Sequence, residues 1–358
     1  HNFFTFSKIL GKNRLACILK ANAYGHGLQE TYSIISECNP MFLGVNDLKE
    51  ALALRNLGYK KRILVLGPAL PSDFASATSL QAEITLGSPE LLESWEKSKS
   101  PPPVHLKIDT GLSRQGFSLE QLTTITERIQ PFKKYILGLM THFANVEDVS
   151  QQDYALLQLK LFHKAQAILQ KNDFSLLSHA AASASAILLE QSRLDLCRIG
   201  ISFYGCWPTT LTRQSYSKNQ KQAITLKAAL SWKAKITSIR QVPGGTYISY
   251  GCTYKAPHAL RIGVLPVGYY EGYPRIISNK QAYVLCRGKK CLILGIICMN
   301  MMIVDLTDVP QAQVGETAVL IGQQDKEQVT AEDIASWAET ITRDIFTRIH
   351  PSITRCIV

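Results

Sequence analysis

Eight short apolar runs recur between residues 15 and 205, separated by polar segments of helical period, and this alternation is the strongest constraint on the fold. They are LACILKA from Leu15, MFLGV from Met41, RILVLG from Arg62, AEITLG from Ala82, VHLKID from Val104, YILGLMTHF from Tyr135, LLSHAA from Leu176 and RIGISFYG from Arg198. Between them, stretches such as LLESWEKSK from Leu91 and DYALLQLKLFHKAQAILQK from Asp153 carry apolar residues at i, i+3, i+4 and i+7, as an amphipathic helix does. Alternating strand and helix implies parallel strands, and eight such units closing on themselves form a β/α barrel with its site at the strand C-terminal ends. An open doubly wound sheet is disfavoured because no GxGxxG turn follows the first strand.

After residue 220 the pattern changes, and strands follow strands: LSWKAKITSI, TYISYGCTY, IGVLPVGYY, AYVLCRG, CLILGIICMNMMIVDL and TAVLIG, divided by turns at Pro243 and Arg287. One helix interrupts them, TAEDIASWAETI, opened by Thr330 with Asp333 three residues on. The expected organisation is an α/β barrel over 1–222 and a mainly antiparallel β domain over 223–358. The polar stretch TLTRQSYSKNQKQ, Thr210 to Gln222, reads as the linker. Because the sequence opens at His1 without methionine, its natural start is expected to be missing.

No apolar run approaches the roughly 18 residues of a membrane span. The nine cysteines never fall as CxxC, so neither zinc nor a disulfide framework is indicated, and a reducing cytoplasm is expected. The net charge of +11 is dispersed over Lys60, Lys61 and Arg62, Lys133 and Lys134, and Lys289 and Lys290, without interleaved aromatics. Nucleic-acid binding is therefore not expected.

Lys20, at the end of the first run, is the one charge among LACIL, and Asn22, Gly25 and Gly27 follow as a turn. A lysine at a strand end loses hydration, which disfavours its ammonium form and makes it a usable nucleophile or base; a lysine snorkelling from the rim of a core strand is the competing reading. Later strand ends supply Lys107, Asp109, Arg114, His142, His179, Ser183, Arg198, Gly200 and Ile201. A lysine, an anion cradle of serine and backbone amides, and converging arginines at one barrel mouth are what a pyridoxal phosphate site requires.

Through KANAYGHG at Lys20, KIDTGLSRQGF at Lys107, THFA at Thr141, HAAAS at His179, RIGISFYG at Arg198, ISYGCTY at Ile248, VGYYEGYPR at Val267 and CMNM at Cys298, the sequence resembles the pyridoxal-phosphate-dependent alanine racemases. The resemblance implies interconversion of L- and D-alanine by two bases in a head-to-tail homodimer, supplying D-alanine for peptidoglycan. Lys20 is then the covalent cofactor anchor and the base for the D-isomer. Tyr250, from the partner subunit, is the base for the L-isomer, and a phenol of pKa ~10 needs nearby positive charge for that task.

By the same resemblance Arg198 holds the pyridine nitrogen and His142 steadies Arg198, while Tyr24, Ser183, Gly200 and Ile201 cradle the phosphate. Arg114 and the backbone of Met299 meet the substrate, Lys107 matches a lysine carried carbamylated in several members, and Glu147, Tyr269 and Arg275 match the entrance. The chain departs from the family pattern at Asn300, Ala182, Glu271 and Ile296, and at Arg343, which stands where a phosphate-touching tyrosine is usual. The opening strand and the first part of the first helix are lacking, so His1 and Asn2 are expected inside that helix. Three other readings remain open at this level: a racemase of broader range that accepts serine, a barrel decarboxylase, and a non-catalytic pyridoxal phosphate carrier.

Overall fold

A computed structural model describes residues 1–11, 14–219 and 224–358. They form two compact units, one of residues 1–23 and 28–227, the other of residues 24–27 and 228–358. The expected boundary between 222 and 223 lies outside the described residues.

The first unit is the barrel. Its strands are β1 (Leu15–Ile18), β2 (Phe42–Val45), β3 (Arg62–Val65), β4 (Ala82–Leu86), β5 (Val104–Lys107), β6 (Ile136–Met140), β7 (Leu177–His179) and β8 (Cys197–Ile199). They pair in parallel in the order β7-β6-β5-β4-β3-β2-β1-β8. The remaining seam is drawn together by a parallel bridge between Ala182 and Arg198 and by Arg198 N–H donating to Ala181 O at 3.0 Å. Strands covered by helices outside and by side chains inside favour apolar residues on both faces, and β1 and β2 are apolar and buried at every position. The filling of the interior is polar: Glu83, Thr85, His105, Lys107, His179 and Arg198 are all buried. Aliphatic layers usually fill such a barrel.

The helices follow from local chemistry. Ser88 caps Pro89–Glu96 by accepting from Leu91 N–H, and Ser118 with Gln121 forms a capping box on Leu119–Ile129. The long helix Asp153–Lys171 has the bounds its periodicity predicts. The stretch expected to be a linker is instead helical over Thr210–Asn219. Thr209 supplies the cap, its Oγ accepting from Thr212 N–H at 3.0 Å, and Thr212, Ser215 and Tyr216 are buried. Small hydroxyl side chains pack there without the apolar signature a sequence pattern detects. Asn2 opens the first helix and His1 precedes it as the cap, so only Asn2 lies inside.

The second unit holds a three-stranded sheet (Ser238–Val242, Leu260–Leu265, Met302–Asp305), a small ribbon (Tyr247–Ile248, Tyr254–Lys255) and a larger sheet built on Thr317–Gln324, all antiparallel. The run CLILGIICMNMMIVDL, expected as one strand, is broken into Lys289–Leu292 and Met302–Asp305 by a loop in which Gly295 takes φ +67°. Thr330 caps Ala331–Trp337 as expected, but a second helix, Thr342–Arg348, follows it. Residues 24–27 belong to this unit: Arg355 donates from Nη2 and Nε to Gly25 O at 2.9 and 3.2 Å. A Cβ on Gly25 would fall 1.9 Å from Phe346 O.

Candidate active site

Lys20 stands just past β1, after the buried Leu19, whose N–H donates to Gly44 O at 2.7 Å. The chain then turns left-handed: Ala21, Asn22, Ala23 and Tyr24 have φ of 56°, 53°, 53° and 53°. Four successive residues with a Cβ in this region are unfavourable, and only Asn tolerates it readily. Local bonds hold them. Glu50 Oε1 accepts from Asn22 N–H at 2.8 Å and Oε2 from Asn46 N–H at 2.7 Å, while Asn22 Oδ1 accepts from Leu28 N–H at 2.8 Å. The sequence announces a turn after Lys20 but neither its hand nor Glu50.

Positive charge gathers at this end of the barrel. Burial, and then Arg114 and Arg198, bring the Lys107 ammonium down to about 8. Burial, followed by Arg198, Arg114, Lys107 and Lys20, keeps His142 well below its usual value and hence neutral. Asp109 opposes this only in part, because its Oδ1 is occupied by the N–H groups of Gly111, Leu112 and Ser113 at 2.9, 3.0 and 3.0 Å. A mouth with such an excess of cations is suited to a phosphate and a carboxylate.

Ser183, the first residue of the helix Ser183–Leu188, accepts at Oγ from Gly200 N–H at 3.0 Å and Ser202 N–H at 3.5 Å, which binds the loops after β7 and β8 together. Ala182 offers that helix no side-chain cap, and the buried Ser202 Oγ has no partner among the described residues. Beside this cradle lies Arg198, 4% exposed. Its Nη1 donates to His179 O and Nδ1, and its Nη2 to Thr141 O, Ala180 O and, at 3.3 Å, His142 Nδ1. Nε–H makes no hydrogen bond among the described residues, which leaves one fixed donor for a ring acceptor. These groups fit pyridoxal phosphate: a strand-end lysine, a cradle, and a spare guanidinium donor. Glu147 lies apart from them in bonding: among the described residues its Oε2 accepts from Val146 N–H at 3.1 Å.

The other expected residues lie in the second unit. Tyr250 opens a short 3₁₀ turn and is 65% exposed; Tyr269, Arg275 and Met299 are also exposed. Met299 O accepts from Tyr270 N–H at 2.9 Å and Cys298 O from Tyr269 N–H at 3.1 Å. That approach requires Gly268, where a Cβ would lie 2.1 Å from Cys298 O. Two departures from the family pattern turn out to be partners: Asn300 Nδ2 donates to Glu271 Oε1 at 2.7 Å, and Glu271 Oε2 accepts from Gly268 N–H at 2.8 Å. Arg343 is half-buried on Thr342–Arg348. Burial pushes the Tyr24 phenol up to about 12, against the opposing pull of Arg343 nearby. Ile296, at the position of the usual entrance arginine, accepts at its carbonyl from Ser249 Oγ.

Family comparison extends this geometry over the whole chain. Residues 1–208 match the alanine racemase N-terminal domain and residues 229–357 the alanine racemase C-terminal domain. An alanine racemase of Leptospira interrogans is 37% identical over 364 residues, spanning 100% of this chain and 93% of its own length. One from Methylacidiphilum infernorum is 36% identical over 97% of this chain and 87% of its own length. Among solved structures, the alanine racemase of Clostridium difficile 630 superposes with a TM-score of 0.88 at 29% identity, covering 98% of this chain and 90% of that one. The Bacillus anthracis enzyme with bound L-Ala-P gives 0.88 at 27% identity over the same shares. With both domains matched and full-length relatives above a third identical, the chain belongs to the alanine racemase family.

Proposed function

We propose that this protein interconverts L- and D-alanine with pyridoxal 5'-phosphate, using Lys20 and Tyr250 as its two bases. The chemistry contributed by the bound cofactor is withdrawal of electrons from the substrate α-carbon. Lys20 Nζ anchors the cofactor and exchanges a proton on one face of that carbon. Tyr250 Oη does so on the other, and its exposure, the observation that carries this reading, suits a base offered to a partner subunit's site. The active form is therefore a head-to-tail homodimer.

Arg198 Nε–H would donate to the pyridine nitrogen, which would stay unprotonated because a guanidinium keeps its own proton. Electron withdrawal would then be weaker than beside a carboxylate, which would disfavour side reactions. Neutral His142 retains the lone pair that Arg198 Nη2 uses. By the family pattern, Ser183, Gly200 and Ile201 of the barrel unit and Tyr24 and Arg343 of the second would hold the phosphate, and Arg114 and the Met299 backbone would orient the substrate carboxylate. Glu147, Tyr269 and Arg275 line the entrance. Lys107, with a substantial neutral fraction near pH 8, adds its lone pair to carbon dioxide and loses a proton, giving a carbamate anion beside Arg114.

No helix among the described residues is long and apolar enough to cross a membrane. We place the enzyme in the cytoplasm, where its D-alanine feeds peptidoglycan. The test is racemisation of a panel of L-amino acids by the cofactor-loaded protein, together with borohydride reduction and peptide mapping. Alanine is expected as the best substrate and Lys20 as the labelled residue. A label on Lys107, or no racemisation, refutes the assignment.

A further inference from the structure

Arg198 is buried and pairs with no carboxylate among the described residues, yet a continuous line of side chains leads from it through the barrel interior to one. Arg198 Nη1 lies 2.6 Å from His179 Nδ1, His179 Nε2 lies 2.7 Å from His105 Nδ1, and His105 Nε2 lies 2.5 Å from Glu83 Oε2. Glu83 is held from its other side by Arg62, Nε to Oε1 at 2.5 Å and Nη2 to Oε2 at 2.8 Å. Arg62 opens β3, so the line runs from the strand N-terminal end to the site at the opposite end. His105, His179 and Arg198 are 0, 0 and 4% exposed, and Glu83 is also buried.

The proton order along this line is fixed by its two ends. A guanidinium only donates, so His179 Nδ1 carries a lone pair and its proton is on Nε2. A carboxylate only accepts, so His105 carries its proton on Nε2 and presents a bare Nδ1 to His179. Every hydrogen bond then points from Arg198 toward Glu83, and each polarises the next. A third ring proton would set two N–H groups face to face. Burial depresses the proton affinity of both imidazoles, in agreement with this order. At Glu83, burial raises the carboxyl, but the bonds from His105 and Arg62 outweigh it and keep the anion.

We propose that Glu83, itself charge-paired with Arg62, anchors a hydrogen-bond relay that reaches Arg198 through the neutral imidazoles of His105 and His179, and that Glu83 and His105 are positioning residues for the guanidinium donor. The inference rests on the reading of Arg198 as the holder of the pyridine nitrogen. The barrel is built for this line: His105 pairs with Gly138 of β6, where a Cβ would fall 2.1 Å from His105 Nδ1. A side chain at 138 would evict the ring.

Histidine ¹⁵N NMR on the full chain, without cofactor, reads the relay directly. Neutral His105 and His179, both protonated at Nε2, are expected near pH 8; an imidazolium or an Nδ1–H form at either residue overturns the proposal. In the loaded protein, His105→Leu is expected to weaken pyridoxal phosphate binding about tenfold, the scale of one lost buried hydrogen bond, and to shift the absorbance of the bound group. His105→Gln, whose amide donates to Glu83 and accepts from His179, is expected to restore most of both. Gly138→Ala, which keeps every relay residue but displaces the ring, is expected to resemble His105→Leu and serves if the leucine variant does not fold. Unchanged affinity and spectrum in the variants that break the relay refute the inference. A parent protein that takes up no pyridoxal phosphate refutes the reading of Arg198 instead, and the tautomer measurement still decides the relay.

Discussion

Replacing Glu50 by Gln should loosen the turn that presents Lys20, by an amount the geometry sets. Ala21, Ala23 and Tyr24 lie in the left-handed region without a side chain suited to it, at about 1–2 kcal/mol each, or about 3–6 kcal/mol together. Against this stand two charge-assisted bonds from the N–H groups of Asn22 and Asn46 to the Glu50 carboxylate, each contributing about 1.5–3 kcal/mol. The two sums are comparable, and the bond from Leu28 N–H to Asn22 Oδ1 tips the balance toward the turn. Glutamine keeps one acceptor oxygen and turns an NH₂ toward the other N–H, losing one such bond. Burial already pushes the Glu50 carboxyl upward, with the Asn46 and Asn22 amides pulling it back, so a net loss of about 2–3 kcal/mol is the expected scale. Thermal unfolding should fall by roughly 4–12 °C, and borohydride labelling of Lys20 in cofactor-loaded protein should become incomplete. Adding Ala21→Gly, which removes a Cβ from a residue at φ 56°, should recover part of the loss. An unchanged melting temperature with full labelling, or a glycine that destabilises further, would refute the account of the turn.

Acid should weaken the barrel before it affects most carboxylates: burial holds His105, His142 and His179 below the 6.5 of a free imidazole. The stability they contribute is complete above that value and is lost as pH falls through it, at up to about 4 kcal/mol per pH unit if all three stay neutral in the fold. Denaturant titrations between pH 8 and 5 check this, and a flat profile contradicts it. A Tyr250→Phe chain mixed with a Lys20→Ala chain should regain activity, since one site of the heterodimer joins both intact residues; heterodimers without activity would place both bases in one chain. Arg343→Tyr should weaken retention of pyridoxal phosphate and narrow the substrate range away from serine, and equal binding and range in the two proteins would remove Arg343 from the phosphate site.

The barrel was legible because eight short, largely apolar runs alternate with segments of helical period, and the lysine motif marked the mouth. The interior relay was not. Glu83 within AEITLG and His105 within VHLKID occupy alternating strand positions, and a sequence pattern does not say which face is solvent and which is barrel lumen. Two charged or imidazole residues in neighbouring strands flanked by aliphatics are the signal that was available. The helix Thr210–Asn219 escaped because its buried face is Thr212, Ser215 and Tyr216, and the left-handed turn because three of its four residues carry no mark of that conformation.

The membership of residues 24–27 in the second unit has a consequence for when the turn at Gly25 is secured during synthesis. Gly25 O is bonded by Arg355, 330 residues further along the chain. At about 5–20 residues per second, roughly 15–70 s separate the two on the ribosome. The barrel strands are all made well before Arg355, but the Gly25 carbonyl gains that guanidinium only when the C-terminal segment emerges. A nascent chain stalled short of Arg355 lacks that bond, and the backbone of the turn at Gly25 should be less protected from hydrogen exchange there than in a chain that extends past it.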